Sequence, residues 1–385
     1  MLVSKNVAES LGPQHEVTGS AAILRQEAEA GGVVSFARFM EVALYRLKTG
    51  YYDRHLRQIG RSGDFYTSVS VGRLFGELLA RQFAGWLEAL GGGPLHLVEA
   101  GAHDGQLACD ILDWLAVNRP ALFGRVHYWL IEPSVDRQNH QKLKLEKFST
   151  VVNWFAAWEK LPAEGVRGVV FSNELLDAFP VHRLAWDARE RRWFEWGVGW
   201  EGRGFAWRRM ETATDWGAKL VAAGFELPSE LLAVLPDGFT IEHSTEAASW
   251  WAAAARALRA GKLLTIDYGL TALERLVPKH AAGTLRAYSN HRASADVLAD
   301  PGNQDLTAHV NFTQLQGAGE RANLRTEGLF TQSDFLTNIA IGTSDELESN
   351  LARGEWTEGQ VREFQSLTHP EHLGRAFRVL IQSRG

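Results

Sequence analysis

Short apolar runs alternate with segments of helical periodicity through the middle of the chain. The apolar runs cover residues 95–100, 126–131, 166–171 and 263–268. Apolar side chains recur at helical spacing over 106–117, and a second helical segment spans 137–147. Strands that alternate with helices in this way are typical of a parallel sheet with helical crossovers. The pattern therefore predicts an open α/β fold.

The N-terminal part of the chain has a different pattern. Residues 1–32 are polar and mixed, which predicts a loosely ordered segment. Apolar side chains at helical spacing predict helices over 36–47 and 74–90. The stretch between these helices is rich in glycine, tyrosine and serine, and we expect it to be a loop.

An insert follows the third apolar run of the core. Two strand-like segments flank Asp187-Ala188-Arg189 and predict a hairpin. The α/β pattern returns only near the helical segment 247–260, so we expect an insert over about 183–245. A helix over 333–341 and a last strand over 377–381 complete the predicted core.

Composition narrows the class of protein. The 385 residues are 45% hydrophobic and 22% charged, as in a globular protein with a sizeable core. A formal charge of −6 argues against a nucleic-acid-binding protein, which would normally carry a basic excess or a basic face. Cys109 is the only cysteine, so no intrachain disulfide or multi-cysteine metal site can form. No signal-like or membrane-length apolar run is present, so we expect a cytoplasmic location without a membrane partner.

The segment LHLVEAGAHDGQLACDIL is typical of a ligand-binding loop between a strand and a helix. Gly101 and Gly105 allow a tight turn and a close approach of ligand to backbone. His103 stands where a dinucleotide-binding fingerprint has its middle glycine. S-adenosylmethionine carries no phosphate and tolerates a looser turn, which favours it as the ligand. Glu99, at the strand end, either meets the methionyl part of that ligand or anchors the turn.

An acidic residue also ends the second predicted strand, in the segment Tyr128-Trp129-Leu130-Ile131-Glu132-Pro133. A carboxylate at this position can accept hydrogen bonds from both hydroxyls of a ribose. Glu132 and the adjacent Pro133 are therefore candidates for binding a nucleoside. The alternative is a βαβ unit with a purely structural role.

The segment FSNELLDAFP places Asn173, Glu174 and Asp177 at the end of a strand that reads as buried. Ligands of open α/β sheets bind beyond the carboxyl ends of the strands, which makes these three residues candidates for a site. The structural alternative is that Glu174 caps a helix and Asp177 pairs with Arg183 or with a backbone amide.

Several ordered blocks resemble one known family. They are Gly50-Tyr51-Tyr52, Gly63-Asp64-Phe65-Tyr66-Thr67-Ser68, Phe75-Gly76, Glu99-Ala100-Gly101, Ile131-Glu132-Pro133-Ser134, the segment 173–180, Tyr288-Ser289-Asn290-His291-Arg292 and the segment 302–312. The sequence resembles the class I S-adenosylmethionine-dependent methyltransferases related to the mitochondrial complex I assembly arginine methyltransferase, from about Ser35 to the C-terminus. It departs from them at His103, where glycine is usual, and at Asn311, where aspartate is more usual.

The resemblance implies an architecture and a methyl donor. It implies a Rossmann-like class I methyltransferase core over 94–385, with a mostly parallel seven-stranded sheet. A helical N-terminal lid over 33–93 and a substrate-facing α+β insert complete this architecture. The donor that the resemblance implies is S-adenosyl-L-methionine, and the loop with Asp64, Thr67 and Ser68 is expected to close over it. The alternative for Ser68 is that it only caps a helix.

The resemblance also implies a catalytic role for the acidic segment. Carboxylates match the planar donor fork of an arginine side chain, so Glu174 and Asp177 are candidates for aligning it and Asn173 for orienting either one. His309, paired with Asp305, is a further candidate because histidine titrates near neutrality; a structural histidine is the alternative. His291 and Arg292 resemble a substrate-side segment, which a solvated loop explains equally well. The spacings match no metal motif, and we expect none.

The sequence is compatible with three main functions. The leading one is methyl transfer to an arginine of a protein, with a homodimer as a possible assembly. The second is methylation of a small molecule on oxygen or nitrogen, for which the tryptophan-rich insert would line an apolar pocket. The third is a binding or assembly factor that lacks turnover, and a nicotinamide-dependent dehydrogenase is a more distant alternative.

Overall fold

A computed structural model shows how these segments are arranged. It describes residues 19–54, 67–289, 292–294, 296–342 and 356–385. Among these residues, no helix is both long and apolar enough to cross a membrane.

A seven-stranded sheet forms the core of the molecule. Its strands, numbered in chain order, are β2 (Leu95–Ala100), β3 (Val126–Ile131), β4 (Val152–Phe155), β5 (Val166–Asn173), β10 (Leu258–Leu270), β15 (Arg325–Thr331) and β16 (Phe377–Arg384). They lie in the order β15-β16-β10-β5-β2-β3-β4, and a short strand β14 (Val310–Asn311) also pairs with β10. All neighbours from β10 to β4 are parallel, whereas β16 is antiparallel to both β10 and β15. The predicted Rossmann-like, mostly parallel α/β fold is confirmed.

Fifteen α-helices belong to the described part of the chain. They are α1 (Ser20–Gly31), α2 (Phe36–Tyr45), α3 (Tyr51–Arg54), α4 (Ser68–Val71), α5 (Leu74–Ala89), α6 (Gln106–Asn118), α7 (Pro120–Phe123), α8 (Val135–Lys144), α9 (Trp216–Ala222), α10 (Ser229–Val234), α11 (Thr245–Ala257), α12 (Phe312–Arg321), α13 (Gln332–Ile341), α14 (Glu358–Thr368) and α15 (Leu373–Ala376).

Both faces of the large sheet are covered by helices. Along β5 the apolar side chains alternate between the faces: Val169 and Phe171 pack on one side, and Val166 and Val170 on the other. Helices α5, α6, α13 and α14 contribute to the first core, while α11 and α12 contribute to the second. The burial of both faces explains why the strands read as continuous apolar runs rather than as alternating ones.

The insert builds a second, antiparallel sheet. Its strands are β1 (Val34–Ser35), β6 (His182–Asp187), β7 (Arg192–Glu201), β8 (Gly204–Arg209) and β9 (Thr240–His243). The predicted hairpin corresponds to β6 and β7, which pair antiparallel. The edge of β7 that pairs with β6 also pairs with β1, which comes from the N-terminal part of the chain, and the opposite edge pairs with β8. The N-terminal helices and the insert therefore share one sheet.

Two regions contain structure that their sequence patterns do not predict. The loosely ordered segment expected up to residue 32 contains helix α1, whose Leu24 is buried in a core shared with α2. The loop-rich C-terminal region contains a three-stranded sheet, in the order β12 (Arg292–Ser294), β11 (Arg286–Ser289), β13 (Asp305–Thr307). Both regions contribute side chains to one core that joins segments distant in sequence, including Leu24 and Leu306.

Candidate active site

Two adjoining cavities open beyond the carboxyl ends of the parallel strands. The first, the Glu174 cavity, has a volume of about 390 Å³, and the second, the Glu132 cavity, about 640 Å³. Gly101 and Tyr52 line both of them. This is the edge at which open α/β sheets bind their ligands.

The loop after β2 has the backbone conformation of a close-approach turn. Gly101 has φ of +74°, and a Cβ atom added there would lie 2.9 Å from Cδ1 of Leu175. Gly105 has φ of +86° and precedes the first residue of α6. His103 has φ of +50°, a left-handed conformation in which glycine is favoured and histidine is among the better tolerated residues. Its side chain contributes to the wall of the Glu174 cavity.

Glu132 is held in place at the end of β3. It is buried, and its Oε1 accepts a hydrogen bond from the Ser134 amide at 2.9 Å. Burial raises the pKa of its carboxyl group, while the charge of Arg137 opposes that shift. Pro133 lines the same cavity, and across it Trp158 and Trp250 meet edge to face with ring centroids 5.3 Å apart. An oriented acceptor beside flat apolar walls suits a nucleoside.

Glu99 lies in the wall of the Glu174 cavity at the end of β2. Its side chain is buried, and its Oε2 accepts a hydrogen bond of 2.6 Å from the Tyr128 hydroxyl. Burial raises the pKa of Glu99 to about 8 even though that hydrogen bond favours the charged form. A cationic ligand group beside it would restore its ionisation.

The segment 173–177 brings its polar side chains into the same cavity. Glu174 has φ of +50°, and its Oε1 accepts hydrogen bonds from the Ser68 amide at 2.9 Å and from Asn173 Nδ2 at 3.1 Å. Burial raises the pKa of Glu174 to about 8. Oδ1 of Asn173 is buried without a hydrogen-bond partner. A buried oxygen without a hydrogen-bond partner at a cavity wall can accept a hydrogen bond from an N–H or O–H group of a ligand.

Asp177 is not paired with Arg183, which was one structural alternative for this residue. The guanidinium of Arg183 lies over the ring of Trp207, 4.2 Å from its centroid, and donates to the carbonyl of Ala282. Asp177 lines the Glu174 cavity, and burial raises its pKa to about 6, against a hydrogen bond from Tyr268. The other alternative, a backbone amide, is correct, because the amide of Ala178 donates a hydrogen bond to this carboxylate. The alternative for Glu174 is partly correct, because Glu174 does accept the first amide of α4.

A third carboxylate holds the backbone of the segment 173–177 through hydrogen bonds. Asp267, near the end of β10, is buried and accepts hydrogen bonds from the amides of Leu175 and Leu176. Burial and the nearby Asp177 raise its pKa well above the usual range. Asp267 was not among the predicted site residues, although a single carboxylate within the apolar run Leu263–Tyr268 is a signal for it.

The N-terminal helices contribute residues that we did not predict. The hydroxyl of Tyr52 donates a hydrogen bond to Oδ1 of Asp305 at 3.0 Å, and both side chains line the Glu174 cavity. Thr307 lines it as well. The sequence signal for Tyr52 was the block Gly50-Tyr51-Tyr52, to which we assigned no role.

The structure does not support His309 as a catalytic base. It is not among the described residues that line the Glu174 cavity, and its ring packs against Tyr268 and His280. Burial lowers its pKa to about 3, so the ring is a poor proton acceptor near neutral pH. Asp305, the expected partner of His309, instead accepts a hydrogen bond from the hydroxyl of Tyr52.

Thr67 and Ser68, two candidates in the segment before α5, differ in whether they line the Glu174 cavity. Thr67 lines the Glu174 cavity and caps α4 through a reciprocal pair of hydrogen bonds with Ser70. Ser68, for which helix capping was the alternative to a contact with the donor, is fully buried, and its hydroxyl donates to Oε1 of Gln332. Its side chain is therefore not available to a ligand. Asp64 and His291 lie outside the described residues, as does the side chain of Arg292.

Comparisons with known proteins identify the reaction. A family model for S-adenosyl-L-methionine-dependent methyltransferases matches residues 78–330, well over half of the chain. The chain belongs to this family. It is therefore an enzyme that uses S-adenosylmethionine as methyl donor, and the dehydrogenase alternative is wrong.

Similar proteins extend over almost the whole chain. A Burkholderia thailandensis protein solved with bound S-adenosyl-homocysteine is 31% identical, with a TM-score of 0.80 over 95% of this chain and 92% of that one. The mitochondrial protein arginine methyltransferase NDUFAF7 homologue of Drosophila melanogaster is 26% identical, covering 94% of this chain and 84% of the fly protein. The human mitochondrial protein arginine methyltransferase NDUFAF7 is 25% identical over 94% of this chain and 83% of its own.

The residues of the two cavities fit this donor. The glycine turn at Gly101 leaves space for a ligand beside the backbone, and Glu132 presents an oriented carboxylate for ribose hydroxyls. Asn173 and Glu99 present acceptors in the wall of the neighbouring cavity, where an amino or sulfonium group would be stabilised.

Proposed function

We propose that the acceptor of the methyl group is an arginine side chain of a protein. The observation that carries this proposal is the set of carboxylates in the Glu174 cavity, where Glu174, Asp177 and Asp305 surround one small volume beside the donor loop. Several carboxylates around an acceptor site favour a cation, and the planar guanidinium matches them with parallel donors. The names of the similar fly and human proteins agree with this acceptor.

Each residue of the site has a distinct task in this proposal. Bound S-adenosylmethionine supplies an electrophilic methyl group on a sulfonium. Gly101, Glu132 and Asn173 hold the donor, and Glu174 and Asp177 orient one guanidinium nitrogen toward the methyl. Methyl transfer is then accelerated mainly by the positioning of nucleophile and methyl group.

The raised pKa values favour a cationic acceptor. Without a cation in the cavity, burial holds the pKa of Glu174 at about 8 and that of Asp177 at about 6, so neither carboxyl is fully ionised at neutral pH. A guanidinium stays charged at all relevant pH values and lowers both pKa values when it enters. The same carboxylates can then accept the proton that the methylated nitrogen releases.

The tryptophans of the insert do not favour the small-molecule alternative. Trp186, Trp193 and Trp216 are buried in the insert's own core. The cavity of about 580 Å³ that they line shares no lining residue with the Glu174 or Glu132 cavity, so it is separate from the candidate active site. The cytoplasmic location, the homodimer and the absence of a nucleic-acid or membrane partner stay predictions.

Labelled-methyl transfer tests the proposal. The protein is incubated with a cell lysate and S-adenosylmethionine that carries a labelled methyl group, and the protein fraction is hydrolysed to amino acids. We expect label in methylated arginine, and its absence in a parallel reaction with Glu174→Gln. Label that appears only in small extractable molecules, or in an amino acid other than arginine, would contradict the proposed acceptor.

A further inference from the structure

A buried polar connection joins the C-terminal helices to Glu174. The short segment 67–72, which includes α4, lies between the end of β5 and the helix pair α13 and α14. On one side of this segment the Ser68 amide donates to Oε1 of Glu174 at 2.9 Å. On the other side the Ser68 hydroxyl donates to Oε1 of Gln332 at 3.1 Å. Ser68 thus links Glu174 to a residue outside the cavity.

Gln332 uses both ends of its side-chain amide in this connection. It is the first residue of α13, and its side chain is fully buried. Its Oε1 accepts from Ser68, and its Nε2 donates to the carbonyl of Leu367 in α14 at 3.0 Å. A buried amide is unfavourable unless both its donor and acceptor are engaged, so the geometry of this residue is strongly constrained.

A second contact from α14 holds the same segment. Oε2 of Glu363 accepts a hydrogen bond of 3.0 Å from the amide of Leu74, the first residue of α5. Helix α14 therefore restrains the region on both sides of Gly72, through Glu363 directly and through Gln332. The Ser68 amide has little freedom to move away from Glu174.

We propose that Gln332 is a positioning residue for methyl transfer, which acts through Ser68 by keeping the Ser68 amide against the carboxylate of Glu174. The inference rests on the role in catalysis proposed above for Glu174. If Gln332 only held the carbonyl of Leu367 in α14, the titration of Glu174 would not depend on Gln332.

The Ser68 amide favours the charged form of Glu174, as a hydrogen bond donated to a carboxylate does. Loss of Gln332 would loosen that hydrogen bond and raise the pKa of Glu174 further. Other groups also act on this carboxylate or share its cavity and must be unchanged in the test. They are Tyr51 and Tyr52 on α3, Arg73, Glu99 on β2, His103 and Asp104 in the loop after β2, Asp110 on α6, Asn173 on β5, Asp177 in the segment after β5, Asp267 on β10 and Asp305 on β13.

The test measures Glu174 itself. In protein labelled with carbon-13 at the glutamate side-chain carboxyl, Glu174→Gln identifies the Glu174 resonance, which is then followed through a pH titration. In Gln332→Met and in Ser68→Ala we expect the pKa of Glu174 to rise by about half a unit or more. Ser68→Ala removes the hydrogen bond between the Ser68 hydroxyl and Gln332 but keeps Gln332 itself. It therefore replaces Gln332→Met in the test if Gln332→Met does not fold.

Gln382→Met is the matched control. Gln382 is likewise fully buried, and its Oε1 accepts from the indole of Trp251 at 2.7 Å, away from Glu174. We expect it to lower the melting temperature, as Gln332→Met does, without moving the titration of Glu174. An unmoved titration in both Gln332→Met and Ser68→Ala would leave Gln332 with a structural role only and would overturn the inference.

Turnover gives a second readout. The acceptor in this assay is the unmethylated form of the lysate proteins that the labelling experiment identifies as substrates. Gln332→Met should lower kcat about tenfold. The Kd for S-adenosyl-homocysteine, measured by calorimetry, should stay within about twofold of the natural protein's value. A rise in that Kd with an unchanged kcat would contradict positioning of Glu174. The titration needs no acceptor, so its outcome is independent of whether arginine is the substrate.

Discussion

Glu174 combines an unfavourable backbone conformation with an unfavourable charge state. Its φ of +50° is a left-handed conformation, which costs a residue with a Cβ about 1–2 kcal/mol. Its carboxyl also has a pKa of about 8 because of burial. Such features persist only where surrounding contacts hold them, and they concentrate at functional sites.

Glu174→Gln should separate catalysis from donor binding. The amide keeps the size of the side chain but removes the charge that attracts a guanidinium. We expect kcat/KM for the acceptor to fall about a hundredfold or more, since a charge-assisted pair is lost. The Kd for S-adenosyl-homocysteine should change less than about threefold by calorimetry. Near-normal turnover would remove Glu174 from the site.

The same substitution has a pH-dependent effect on stability. The folded-state pKa of Glu174 lies above its ordinary value of 4.5, so the folded state binds the proton more tightly than the unfolded state. The stability from this group is complete below about pH 4.5 and is lost as pH rises through about 8. Glu174→Gln should therefore melt at a higher temperature than the natural protein at pH 8.5, and the difference should vanish near pH 4.5.

Activity should rise between about pH 6 and pH 9. Asp177, with a pKa near 6, and Glu174, with a pKa near 8, must lose their protons to pair with a guanidinium. A profile of kcat/KM against pH at constant ionic strength tests this, and the upper part of the rise should disappear in Glu174→Gln. A flat profile over this range would contradict the role of both carboxylates.

At the scale of elements, the strands and helices of the core could be predicted well, and the contacts between distant segments could not. Buried parallel strands such as β2 and β5 read as apolar runs, and their carboxyl ends correctly located Glu99, Asn173 and Glu174. Strand β1 has two residues and exists because β7 pairs with it, so no local pattern could predict it. The fully buried Ser68 looked like a helix cap because its partner Gln332 is 264 positions away.

The turn between β2 and α6 should not tolerate a side chain at Gly101. Alanine would have to adopt φ near +74°, and its Cβ would press on Leu175. We expect Gly101→Ala to raise the Kd for S-adenosyl-homocysteine about tenfold, since the turn must shift. Gly85→Ala is the control: it lies inside α5 with no atom within 4 Å of its added Cβ, and it should leave binding unchanged. Equal Kd values for the two variants would count against this role of the turn.

At the scale of the whole molecule, the N-terminal helices and the insert are built as one unit. Phe36 and Phe39 of α2 pack against Trp207 and Phe205 of β8, with ring centroids 5.0 and 5.4 Å apart. The same core includes Ala178 and Leu306, next to residues that line the Glu174 cavity. A sequence pattern that treats lid and insert as separate segments cannot predict this packing, because it joins regions more than 150 positions apart.

Phe39→Ala should therefore loosen the insert as well as the N-terminal helices. The side chain is fully buried, and its loss should lower the free energy of unfolding by about 3–5 kcal/mol. Limited proteolysis should cut the strands 192–209 earlier than in the natural protein. Leu79→Ala, in the core of the large sheet, should be destabilised without this early cleavage. Early cleavage in both variants would mean that the insert has no special dependence on α2.

The two indole rings in the Glu132 cavity have a practical consequence. Tryptophan emission responds to the polarity and contacts of the ring, and Trp158 and Trp250 meet each other in the wall that would face a bound nucleoside. Donor and product should thus change the intrinsic fluorescence of the protein as they enter and leave. Occupancy could be followed optically in real time, with no label attached and before any acceptor has been identified.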